Sequence, residues 1–118
     1  MHSFEPQQTF ELIEREVKSR LEPQGYTITK QDYHPHVHGT RYTVFGCPSG
    51  HVRLTWDGKA ETLILRAYRK GNPLVRTFFM TFFGRYDLDK LTHEVTAKAE
   101  ELRSLSEEQL VRKFTERL

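Results

Sequence analysis

Among 118 residues the chain has a single cysteine, Cys47. A lone thiol excludes an internal disulfide and fits a reducing compartment better than an oxidising one. Long apolar runs are missing too: none approaches the ~20 residues that a membrane-spanning helix needs. The opening MHSFEPQQTF has neither the basic start nor the apolar stretch of a secretory signal. These absences predict a cytoplasmic protein that makes no use of a membrane. Also missing are a glycine-rich phosphate loop and a strand–GxSxG–helix turn, so nucleotide-hydrolase and serine-hydrolase chemistry lose their usual supports. The sequence therefore assigns no catalytic group and no cofactor, and the expectation leans away from an enzyme.

What is present suffices for one core. Hydrophobic residues make up 36% of the chain and charged residues 29%, spread along its length, which predicts a single domain over residues 1–118 without disulfide or metal support. The net charge of +2 is small, but it is unevenly placed. Residues 1–22 and 86–118 each carry a net −2, whereas 23–85 carry nine basic side chains against three acidic ones. If the middle forms one structural layer, one side of the molecule attracts anions.

The elements follow from periodicity. Phe10, Ile13, Val17 and Leu21 fall on one stripe of a helix over 6–22, with Pro6 in its first turn and EPQG as its stop. Alternating segments at 26–33, 41–46, 51–56 and 61–69 follow, separated by HPHVHG, GCPSG and DGKA, and predict an antiparallel meander. LVRTFFMTFF, residues 74–83, carries helix signals at Asn72, Pro73 and Gly84. Its valine, threonines and phenylalanines favour a fifth strand, which is the expectation taken. Asp87 then caps a helix over 88–103 with the stripe Leu88, Leu91, Val95 and Leu102. SEEQ, residues 106–109, reads as a capping box flanked by the staple Leu105 and Leu110, opening a last helix through Val111, Phe114 and Leu118. The predicted fold class is α+β: an antiparallel sheet of four to five strands with one N-terminal and two C-terminal helices packed on one face.

Loop lengths predict the register. Taking DGKA as a four-residue loop sets Trp56 against Glu61 and Leu54 against Leu63, while a five-residue GCPSG sets Val44 against Val52. The core face then collects Tyr42, Val44, Val52, Leu54, Trp56, Leu63, Leu65 and Ala67. The opposite face collects Arg41, Phe45, His51, Arg53, Arg66 and Tyr68 among threonines and Ile64. With 74–83 as a strand, Arg76 lies opposite Arg66, and Phe45, His51, Arg66 and Arg76 share one rung. Basic groups interleaved with aromatics suit an acidic protein or a nucleic acid, although arginine and threonine also commonly decorate the wet face of such a sheet. LVRTFFMTFF is too apolar to leave open, and self-association, as a homodimer, is expected through it.

The second candidate is DYHPHVHG, where His34, His36 and His38 recur at every second position. On a strand they would share a face and could hold zinc. The alternation resembles the histidine-triad nucleotide hydrolases, and His36-Val37-His38 resembles the cupin metal pair. Each likeness covers only a handful of residues. Pro35 and Gly39 stand where the triad pattern wants apolar strand residues, and Tyr42 and Thr43 stand where the cupin pattern wants a glutamate. Pro35 removes a ladder donor and Gly39 signals a bend, so a solvated hairpin loop is the expectation, and a metal-dependent enzyme or metal-binding protein using these histidines is the alternative. Cys47 reads as a turn residue, because His51 is its only neighbouring base and no third group orients that histidine.

Overall fold

A computed structural model describes residues 5–70 and 90–118. Helix α1 (Pro6–Leu21) leads through a short 3-10 turn into strands β1 (Thr27–His34), β2 (Thr40–Cys47), β3 (Gly50–Asp57) and β4 (Thr62–Arg69). Strand β5 (Lys90–Lys98) and helices α2 (Ala99–Ser104) and α3 (Glu107–Thr115) complete the described chain. The strands pair antiparallel in sequence order, β1-β2-β3-β4-β5. The α+β class and the helix complement are those expected.

The stripe of α1 does what its spacing demands: Phe10, Ile13, Val17 and Leu21 are all buried. They join Val52, Leu54, Trp56, Leu63, Leu65, Ala67 and Ala97 from the sheet and Leu102, Leu110 and Phe114 from the C-terminal helices in one apolar cluster. Ser106 opens α3 with the reciprocal box: its hydroxyl accepts from the Gln109 N–H at 3.2 Å, and Gln109 Oε1 accepts from the Ser106 N–H at 2.9 Å. Leu105 and Leu110 flank that box and both pack on the core.

Three expectations are corrected. Residues 90–98 are a strand; only Ala99–Ser104 of the expected helix over 88–103 is helical. Leu91 and Val95 satisfy a helical spacing and a strand alternation equally, and pairing with the otherwise open edge of β4 decides the outcome. The expected fifth strand at 74–83, the cap Asp87, Leu88 and the self-association of LVRTFFMTFF lie outside the described residues.

The second correction is a slip of one residue between β2 and β3. Cys47 pairs with Gly50 and Phe45 with Val52, so the turn is Pro48-Ser49 rather than GCPSG. Gly46 and Gly50 are strand positions, not turn punctuation. A Cβ on Gly50 would stand 2.1 Å from the Tyr68 carbonyl oxygen on β4, so the close approach of that strand requires glycine. One residue of slip exchanges the faces of β2. Thr43 and Phe45 point into the core at 1% exposure each, and Tyr42 and Val44 leave it.

The third correction changes partners but not faces. The β3–β4 loop has four residues, but they are 58–61: Trp56 pairs with Leu63 and Leu54 with Leu65. A shift of two preserves the alternation.

The β1–β2 and β3–β4 turns back onto each other at one sheet end. The Gly58 N–H donates to Thr40 Oγ1 at 3.0 Å, and a Cβ on Gly58 would lie 1.8 Å from the His38 carbonyl oxygen. Gly58→Ala must therefore push two turns apart, and we expect a loss of about 1–3 kcal/mol, as for forced overpacking. Thermal melts measure it; an unchanged melting temperature would mean that the two turns do not touch.

Candidate functional site on the open sheet face

The helices lie on the face of Thr43, Phe45 and Leu54. The opposite face carries, by strand alternation, Lys30 and Asp32 on β1, Tyr42 and Val44 on β2, and His51, Arg53, Thr55 and Asp57 on β3. Ile64, Arg66 and Tyr68 on β4 and Leu91, Glu94, Thr96 and Lys98 on β5 lie on it too.

Arg53 and Arg66 face each other across β3 and β4, and Glu94 sits beyond Arg66 on the same rung. Two opposed guanidinium groups repel, and each is relieved differently. Arg66 Nε donates to Glu94 Oε2 at 2.7 Å, and that carboxylate holds the guanidinium pKa above its ordinary value. Arg53 turns the other way, over the Tyr42 ring at 4.3 Å, while Lys30 approaches the same ring at 5.7 Å. Tyr42 is thus flanked by two cations, and among the described residues no carboxylate forms an ion pair with either.

The other acids of this face are engaged locally. Asp57 Oδ1 accepts from the Lys59 and Ala60 N–H groups at 3.1 Å each, closing its turn. Asp32 accepts from the Tyr33 N–H at 2.9 Å and stands 3.2 Å from His34. Positive charge therefore collects around Tyr42 and Arg53. Toward the Pro48-Ser49 turn, the rings of His51 and Tyr68 stack at 4.5 Å with an interplanar angle of 19°. Beside them lies a recess of about 550 Å³ whose lining includes Thr27, Thr29, Val44, Cys47, His51 and Lys70.

Of the residues expected on this face, His51, Arg53, Arg66 and Tyr68 are brought together. Arg41 and Phe45 are not. Phe45 is core, and Arg41 lies on the helix side, 4.4 Å over the Phe10 ring and 3.9 Å from Glu11 Oε1. The expected rung of Phe45, His51, Arg66 and Arg76 is replaced: His51 lies between Gly46 and Tyr68, and Arg66 between Arg53 and Glu94. Arg76 lies outside the described residues. Tyr42 and Lys30, which sequence reasoning left out of the site, join it because of the register slip. Gly46 and Gly50, unusual in a strand, were the available signal.

His34 ends β1, while His36 and His38 occupy the turn, with His38 and Gly39 both at positive φ (55° and 71°). The alternation is broken where the chain reverses. Among the described residues no group of three or more His, Cys, Asp or Glu side chains is placed to hold a metal ion. Cys47 shares the helix side with Phe45 by alternation. Burial raises its thiol pKa, but hydrogen bonds with Ser49 and Tyr26 outweigh this and hold it below the ordinary value.

Among the described residues no helix is long and apolar enough to cross a membrane. The fold and the open face define an α+β domain with a cationic, aromatic sheet surface. Compared with protein-family models, curated proteins and solved structures, the chain matches none.

Proposed function

We propose that this chain is a binding module whose open sheet face takes single-stranded nucleic acid. The observation that carries the reading is Tyr42 between Lys30 and Arg53, two cations with no carboxylate partner among the described residues, on the face that the helices leave uncovered. Such a surface offers phosphates a cation and bases a planar group to stack on. An acidic protein would use the cations but has less need of the ring planes, so it is the second outcome of the test rather than the reading.

The test is a fluorescence titration with labelled single-stranded RNA, single-stranded DNA and polyglutamate at low and moderate salt. Nucleic-acid affinity should fall steeply as salt rises, because neutralising phosphates releases counterions. Arg53→Gln should weaken binding by about tenfold, within the range of a charge-assisted contact. Arg66→Gln should weaken it less, because Glu94 already neutralises that guanidinium. Binding to polyglutamate alone would overturn the nucleic-acid reading in favour of an acidic protein, and salt-insensitive or absent binding to all three would remove the face as an anion site.

A further inference from the structure

On the other side of the sheet, near the end of α1, lies a cavity of about 330 Å³ that the proposed function does not use. Its floor is core, including Val52 and Ala67, and its polar walls include Gln24, Tyr26, Ser49, Arg69, His93 and Arg117. The topology explains why these groups meet. Alternation turns Arg69 to the helix side of β4. The register of β5 against β4 shifts between Ala67 and Tyr68, leaving Thr92 as an extra residue; its hydroxyl donates to the Ala67 carbonyl at 3.0 Å, and His93 comes opposite Ala67. Such bulges re-aim side chains. Arg117 arrives from the segment just after α3.

The lining has a one-sided charge. Arg69 and Arg117 both line the cavity, and among the described residues no Asp or Glu side chain does. Among the described residues neither Arg69 nor Arg117 forms an ion pair with a carboxylate. The backbone oxygen of Leu118, also at the wall, accepts from Gln24 Nε2 at 2.9 Å. His93 Nε2 is buried without a hydrogen-bond partner. An anion between Arg69 and Arg117 would be held by Coulomb attraction to both.

We propose that this cavity is a binding site for a small oxyanion, a carboxylate or phosphate group carried by a small molecule, held between Arg69 and Arg117. Guanidinium forks match the planar or tetrahedral oxygens of such groups, and the volume suits a small metabolite rather than a polymer. The site is on the opposite side of the sheet from Tyr42 and Arg53, so it stands or falls independently of the nucleic-acid reading.

His93 supplies a built-in reporter. Burial first, and then the charge of Arg117, hold its pKa below the ordinary histidine value. An anion beside Arg117 offsets the second cause, so occupancy should raise that pKa. Tyr26, also on the wall, has its phenol pKa raised by burial, away from the range where histidine titrates.

The experiment follows the His93 imidazole resonances of the full chain by NMR, titrated with inorganic phosphate or with succinate, using chloride at matched ionic strength as the blank. A saturable shift with a raised His93 pKa is the expected result. Saturation with phosphate alone would assign a phosphoryl ligand, and with succinate alone a carboxylic acid. Arg69→Gln and Arg117→Gln should each weaken binding by about tenfold, with Arg117→Lys retaining part of the affinity and Arg53→Gln leaving it unchanged. Both arginines are exposed, so these variants should fold. A shift that stays linear with concentration, matches the chloride blank or survives the double variant R69Q/R117Q would overturn the proposal.

Discussion

Phe45→Ala should cost about 3–5 kcal/mol of folding stability, the range for deleting a buried phenylalanine side chain. The ring is 1% exposed and lies in the core cluster with α1 above the sheet. Its neighbours Tyr42 and Val44 stand on the open face, so Val44→Ala should cost well under half as much. The contrast reads the β2 register directly, because a slip of one residue would exchange the two results. Denaturant unfolding of both variants with an unchanged m-value measures it. A Val44→Ala loss exceeding that of Phe45→Ala would invert β2 and return Arg41 and Phe45 to the binding face.

Leu54→Ala should be nearly as damaging, at about 2–5 kcal/mol. Leu54 is fully buried in the middle strand, paired with Thr43 on one side and Leu65 on the other. A cavity there opens between sheet and helices and cannot be filled by a surface side chain swinging in. The same unfolding experiment applies. A loss below about 1 kcal/mol, the size of an ordinary or surface substitution, would mean that β3 shows the helices its other face, exchanging core and binding surface together.

The two variants probe different layers of inference. Leu54 goes to the core on its alternation with Val52 and Trp56 and on its pairing with the strand around 63–65, and the observed shift of two residues leaves its face unchanged. Phe45 was placed by counting turn residues, and there the count misled. Glycine marks turns because it tolerates positive φ, but Gly46 and Gly50 serve a different need. The Tyr68 carbonyl lies where a Gly50 side chain would stand, and Thr29 lies where a Gly46 side chain would stand. Nothing in the sequence distinguishes a glycine needed for conformation from one needed for a neighbour's approach.

The site shows the same division. Cations and aromatics in the middle of the chain were legible, and His51, Arg53, Arg66 and Tyr68 share a face because β3 and β4 alternate through the core. Which cation meets which ring was not legible. Glu94 reached the site only because 90–98 is a strand, and it separates Arg66 from Arg53 in electrostatic terms. Tyr42 reached it only through the slip.

Local chemistry alone determined the elements whose signals are self-contained: the stripe of α1, the strands β2 to β4, the Ser106–Gln109 box, and the hairpin at His36 to Gly39 that breaks the histidine alternation. These depend on neighbours within a few residues. Tertiary structure decided the register of β2, the conversion of 90–98 to a strand, and the meeting of Arg69, His93 and Arg117 around one cavity. Each of those depends on a partner far along the chain: the β4 backbone behind Gly50, the open edge of β4 beside β5, and the end of α3 folded back over the sheet. A pattern of period 2 or 3.6 says which residues share a face, but only the packing of one element on another says what that face will meet.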